Sequence, residues 1–144
     1  MIGASGLAGM PRGDRTSVAA LGKLPLILPS GSHGLRALVS ACFHQAGAEP
    51  RVVAEIDGLA ILMDAVQGGL GATIQPGAAL ARSQGAAYRS VLLTDAGATR
   101  PNLLVSLSDD ELSPAALAAR VVLTDVAATL VRDGRWPGAT LRAR

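Results

Sequence analysis

An α/β fold built on parallel strands is predicted by three features of the chain. The apolar run over 24–28, with Leu26-Ile27-Leu28 at its heart and Pro29 closing it, reads as a short strand. A polar turn, Ser30-Gly31-Ser32, then leads into Leu35, Leu38, Val39, Cys42, Phe43 and Ala46, which is helical spacing. Arg51-Val52-Val53-Ala54-Glu55-Ile56 supplies a second strand, and strand, helix and strand in succession imply a parallel, right-handed unit.

In chain order, residues 1–15 are rich in glycine and small residues, with a turn at Pro11-Arg12-Gly13-Asp14, and predict loop or partial disorder. Thr16-Ser17 suits the start of a short helical turn through Leu21, before the strand over 24–28. The following helix stops at Gly47, a C′ residue. After the strand over 51–56, Asp57 is placed as N-cap of a second helix with Leu59, Leu62, Met63 and Val66 on one stripe, ended by Gly68-Gly69. Ala72-Thr73-Ile74-Gln75 reads as a third strand. A short helix or loop over 77–85, with Arg82, Ser83 and Gln84 exposed, precedes strands over 88–94 and 102–107, separated by a turn at Asp95-Ala96-Gly97. Asp109-Asp110-Glu111 reads as a solvated acidic turn. A last helix starts at Ser113 as cap with Pro114 in its first turn, and runs toward Asp133 and Gly134. Its apolar residues, Leu117, Val121, Val122, Leu123, Val126, Leu130 and Val131, lie around most of its circumference, so it wants cover on two sides.

The composition bounds the function. A chain of 144 residues, 49% hydrophobic and 17% charged, has enough apolar content for one compact domain, and with 2% aromatic residues its core is aliphatic. The formal charge of +2 is small and the arginines are scattered, which is not the clustered pattern of a nucleic-acid footprint. A single cysteine, Cys42, rules out an internal disulfide, and its place on the apolar stripe predicts burial. The first ten residues lack the charged and apolar regions of a signal peptide, and no uninterrupted apolar stretch of about 18 residues is present. A soluble cytoplasmic protein without a membrane partner is therefore expected.

No catalytic or metal motif stands out. His33 and His44 fall on one helix but are separated by roughly 16 Å at about 1.5 Å rise per residue, too far to share a metal. Gly68-Gly69-Leu70-Gly71 follows a helix and precedes a strand, the wrong order for a dinucleotide loop. Neither a metal nor a cofactor is expected. Ser30 with His33 suggests a nucleophile and base, but no orienting acid follows at a recognisable position. In open parallel sheets ligands gather at the carboxyl ends of strands. Two segments lie at such ends: the turn of Ser30, Ser32 and His33, and the segment around Gln75 and Pro76. The turn offers two hydroxyls and the free N–H groups of a helix start, which suit a carboxylate or other small anion; equally, Ser30 or Ser32 serves as a helix cap alone.

The run Leu24-Pro25-Leu26-Ile27-Leu28-Pro29-Ser30 with His33-Gly34-Leu35-Arg36 resembles the middle of the effector-binding domain of LysR-type transcriptional regulators. So does the spacing to Val66-Gln67-Gly68-Gly69-Leu70-Gly71 and Ile74-Gln75-Pro76. The later stretch from Arg100-Pro101-Asn102-Leu103-Leu104 through Leu112-Ser113-Pro114-Ala115-Ala116 to Gly134-Arg135-Trp136 is similar as well. Within the family the likeness is to the nitrogen-assimilation-control type, and it covers the chain from about Thr16 onward.

The resemblance implies a periplasmic-binding-protein-like α/β domain with a complete second subdomain and a partial first one. Residues 1–22 become the end of the first subdomain and the crossover, 23–85 the core of the second, and 86–144 the return strands and C-terminal helix. It further implies a small-molecule effector, a small anion or polar metabolite, held in a cleft whose wall comprises Ser30, Ser32, His33, Gly68, Thr73 and Pro76, with Gln75 as a further polar candidate. Binding would shift the subdomains and so control transcription, without catalysis. DNA would be read only through a helix-turn-helix not found in this sequence. A homodimer is expected, or else an exposed apolar patch on the last helix, and a tetramer in a full-length regulator. Two other readings stand beside this one: a fragment of a periplasmic-type solute-binding protein, and a small serine hydrolase using Ser30 and His33.

Overall fold

The computed structural model describes residues 1–82 and 87–142, which divide into two compact units, 1–100 and 101–144. In the first unit β1 (Ile2–Ala4), β2 (Arg15–Thr16) and a 3-10 turn (Val18–Leu21) precede β3 (Leu26–Leu28). Then come α1 (Gly34–Gln45), β4 (Val52–Glu55) and α2 (Leu59–Gln67). A second 3-10 turn (Gly77–Arg82), β5 (Tyr88–Ser90), β6 (Leu92–Leu93) and a third 3-10 turn (Ala96–Ala98) complete it.

The predicted strand–helix–strand unit is present. β3 and β4 run parallel, with Leu26 beside Val52, Ile27 beside Ala54 and Leu28 beside Glu55, and a register shift between Leu26 and Ile27. The proposed third strand over 72–75 is reduced to two bridges, but it is paired on both sides. Ala72 donates its N–H to the Pro25 carbonyl and accepts from Ile27 N, both at 2.8 Å, in parallel to β3. Thr73 and Ile2 exchange two hydrogen bonds of 2.7 Å in antiparallel sense. Because β1 also pairs antiparallel with β5, hydrogen bonds run unbroken in the order β4, β3, 72–73, β1, β5.

Strand alternation sends neighbouring residues to opposite faces, and here both faces are covered. Leu26, Leu28, Ala72 and Ile74 pack with Leu35, Val39, Cys42 and Phe43 of α1. Ile2 and Ile27 pack with Leu62, Met63 and Val66 of α2. One helix per face is the reason β3 is apolar at every position and fully buried. Cys42 is buried as expected, and burial, with the Asp95 carboxylate adding to it, pushes its thiol pKa up.

Two glycines allow the chain to return from α2 into the sheet. Gly69 has φ +79°, a left-handed conformation that other residues adopt only with strain. A Cβ on Gly71 would sit 2.7 Å from the Pro25 carbonyl oxygen and 3.1 Å from its carbon, so only glycine lets 72 come within hydrogen-bonding reach of β3.

Several expectations are corrected. Residues 1–15 are not all loop: Ile2–Ala4 forms β1, and Ile2 is 2% exposed because its side chain packs against α2's cluster. The strand expected over 88–94 divides at Val91. Tyr88–Ser90 pairs with β1, whereas Leu92–Leu93 pairs parallel with β2, so the chain changes partner at the buried residue between. The strand expected over 102–107 is not formed. Leu103 and Val105 are 77% and 83% exposed, and apolar alternation makes no strand without a neighbouring chain to accept its hydrogen bonds. Asp57 does not cap α2; Gly58 takes that position without a side-chain bond. Of the residues expected to be exposed over 77–85, Ser83 and Gln84 lie outside the described residues, and Arg82 is described only in its backbone, at the end of the second 3-10 turn.

In the second unit α3 (Pro114–Arg132) begins as predicted, with Ser113 Oγ accepting from Ala116 N at 3.2 Å and Pro114 in the first turn. The acidic turn is exposed as expected, and within it Asp109 accepts from Arg120 Nη2 at 2.6 Å, while Arg120 Nη1 donates to Ser106 Oγ. No residue of α3 is buried, and Val121, Val122 and Leu123 are all more than half exposed. With 19 residues and mean hydropathy 1.6, α3 is long and apolar enough to cross a bilayer. Arg120 and Asp125 lie in its middle, however, and charges there are expensive in hydrocarbon.

Two substitutions test this packing. Gly71→Ala is expected to lower stability by about 2 kcal/mol or more, since the backbone of Pro25 must move to admit the methyl group. Phe43→Ala, at a side chain 1% exposed, is expected to cost about 3–5 kcal/mol. Urea denaturation of each variant beside the parent measures both.

Candidate functional site

The polar turn at the carboxyl end of β3 is bound into place from three directions. Pro29 is buried, and its carbonyl accepts from Arg36 Nη1 at 3.0 Å. The same Arg36 nitrogen reaches Glu55 Oε1 of β4 at 2.6 Å. The Ser30 N–H donates to Asp57 Oδ1 at 2.9 Å, and the Ser30 carbonyl accepts from His33 N at 3.1 Å, closing the turn. Ser30 Oγ and Ser32 Oγ lie 3.1 Å apart. Ser32 and His33 are exposed and Ser30 is half-buried.

Neither serine caps α1. That position belongs to His33, whose Nδ1 accepts from Leu35 N at 3.2 Å. No Ser30–His33 side-chain hydrogen bond forms among the described residues, and Asp57 accepts from the Ser30 backbone N–H.

Asp57 is the residue that sequence reasoning misplaced. It lies just beyond the carboxyl end of β4, where the strand-end rule would have found it as readily as it found Ser30. The Ser30 backbone N–H, then the Ser30 hydroxyl, hold its carboxyl below the ordinary aspartate range, with nearby His33 contributing in the same direction. Arg36 and Glu55 were also missed. Arg36 follows the turn within the first turn of α1, and its bridge to Glu55 is partly exposed, so it fixes geometry more than it stabilises the fold.

The remaining predicted residues divide. Gln75 and Pro76 are half-buried and follow the segment parallel to β3, so they lie toward the same end of the sheet as Ser30. Thr73 is fully buried within the sheet, and among the described residues its Oγ1 has no hydrogen-bond partner. Gly68 lies at the other end. It ends α2 and lines an open groove of about 540 Å³ with Ser5, Leu7 and Gln67. A second groove, about 490 Å³ and lined by Lys23, Glu49 and Arg51, flanks the amino ends of β3 and β4. The seven residues are thus not one surface: five share a sheet end, one is interior and one is opposite.

The Asp57 contact predicts a sign for acid behaviour. Its folded pKa lies below the usual value near 3.8, so the unfolded chain takes up the proton first as pH falls. Its stabilising contribution is therefore present above that value and lost as pH drops through the lowered one. Asp57→Asn is expected to flatten the acid limb of a thermal-unfolding series between neutral pH and the carboxylate range.

The sheet is mixed; its parallel part, β4, β3 and 72, is covered by a helix on each face and collects polar turns at its carboxyl ends, which is where open α/β sheets bind ligands. Comparison with family models matches residues 4–128 to the LysR substrate binding domain. No curated protein matches the chain. The matched span takes in β3, β4, both helices that cover them and most of α3, and the chain belongs to the LysR substrate-binding-domain family.

Proposed function

We propose that this chain senses a small polar metabolite on behalf of a LysR-type regulator of the nitrogen-assimilation-control kind. The observation that carries the reading is the common sheet end shared by the Ser30–Ser32–His33 turn and the Gln75–Pro76 segment, set there by parallel pairing of β3 with 72. Membership of the family supplies the context of effector sensing and transcriptional control.

In this reading residues 23–85 form the core of one complete subdomain, and the first subdomain is represented in part. The turn and the Gln75–Pro76 segment form one wall of the effector cleft. Thr73 supports that wall from within, and Gly68 sets the angle at which the chain enters 72–76. A ligand that favours the closed arrangement of two hinged subdomains shifts their population, and the change passes to DNA-reading elements of a full-length, cytoplasmic protein. No step is catalytic. The exposed apolar face of α3 is the surface through which we propose the chain forms a homodimer, as a step toward the tetramer of a full-length regulator.

A screen of small polar metabolites by amide chemical-shift change tests the site. Saturable shifts are expected at residues 30–33 and 75–76, and the double substitution Ser30→Ala with Ser32→Ala is expected to weaken them about tenfold or more, the loss of one or two hydrogen bonds. Shifts confined to Gln67–Gly69 and Ser5–Leu7 would place the ligand in the opposite groove instead. Sedimentation tests the dimer: a monomer up to high concentration would remove it, whereas Val122→Lys is expected to weaken an association that does occur.

A further inference from the structure

None of the described residues of the second unit is buried, so the apolar side chains of α3 find no core within that unit. Its circumference is nevertheless uneven. Ala116, Arg120, Ala127 and Val131 are partly covered and, at about 100° per residue, share one stripe. Ala115, Ala119, Val122 and Val126 make a second stripe, about a third of a turn away. All four are exposed, Val122 at 58% and Val126 at 48%.

The second stripe has the spacing of a helix pair. Its steps of four, three and four residues are those of a seam that another helix can line continuously. The two flanks of the seam differ: Ala116, Leu123 and Leu130 lie along one side, Ala118, Asp125 and Arg132 along the other. In a parallel pair each flank faces the unlike flank, which sets Asp125 beside the partner's Leu130. In an antiparallel pair like flanks meet, so leucine packs on leucine and the charged flank stays in water. The ends of the helix agree with this. Asp109, Asp110 and Glu111 precede α3, and Arg132, Asp133 and Arg135 lie at its close, giving a net negative end and a net positive one. Antiparallel contact joins unlike ends and opposes the helix dipoles, whereas parallel contact joins like ends.

We propose that α3 packs antiparallel on α3 of a second copy, about a two-fold axis between residues 120 and 121. This arrangement rests on the homodimer proposed above and gives it an orientation and a register. Ala119 then faces the partner's Val122, and Ala115 faces the partner's Val126. Each layer sets a small residue against a larger one, and each contact occurs twice, as two-fold symmetry requires. Sliding the pair by one heptad toward the carboxyl ends opposes Asp125 to the partner's Asp125, a like-charge contact that disfavours that register.

Cysteine cross-linking reads the orientation, with sedimentation of the same 144-residue chains run first. Ala115→Cys and Val126→Cys are oxidised separately and as an isotope-labelled mixture; the buried Cys42 stays in place and the parent chain is the control. Both positions are exposed on α3, so neither substitution disturbs packing within the unit. In the antiparallel register position 115 lies beside the partner's 126, and roughly 16 Å along the axis from its own counterpart at about 1.5 Å per residue, too far for a disulfide. The mixture is therefore expected to form the 115–126 disulfide about tenfold faster than either variant links to itself. Self-linking of each variant alone, with no gain on mixing, means parallel helices and overturns the proposal. A dimer that links in neither experiment pairs through another surface, which overturns the α3 pairing while the homodimer stands. A monomer removes the homodimer and this arrangement together; thiols at 115 and 126 that then resist a maleimide mean that the first unit of the same chain covers the face.

Discussion

Residues 72 and 73 are hydrogen-bonded along both edges, to Pro25 and Ile27 on one side and to Ile2 on the other. Four backbone bonds, each contributing about 1 kcal/mol net, join what would otherwise be separate strand pairs. Their larger effect is geometric. The parallel half of the contact orients 74–76 toward the same end as Ser30, and the antiparallel half brings β1 and, through it, β5 into the first unit. The contact exists only because Gly71 has no side chain to hold Pro25 away.

The parts of this arrangement that were legible in the sequence are those governed by local period and punctuation. α1, β4, α2 and α3 were found within a residue or two, because helical spacing, Pro114 and the glycines at 47 and 69 each act on the nearest few residues. What was not legible depended on distant partners. Ile2–Ala4 is a strand because Thr73 and Tyr88–Ser90 lie beside it, and nothing in a glycine-rich opening announces that. The converse holds at 102–107, where an apolar run with strand composition pairs with no strand among the described residues and stays exposed.

The site followed the same division. The strand-end rule located Ser30, Ser32, His33, Gln75 and Pro76 because it needs only the direction of a strand. It failed for Asp57, where the preference of aspartate for helix N-caps competed and was given precedence; in the folded protein the carboxylate turns to a neighbouring loop instead. Thr73 was a residue of the right polarity on the right segment, yet strand alternation sends it into the sheet's interior.

The bond from Ser30 N to Asp57 Oδ1 joins two successive strand-to-helix junctions, one leading to α1 and the other to α2. With Arg36 clasping Pro29 and Glu55 across the same pair of strands, neither junction is free to shift without tugging on the other. A small push on the exposed serine turn is therefore shared at once between helices lying on opposite sides of the sheet, which makes this short loop a yoke rather than a latch.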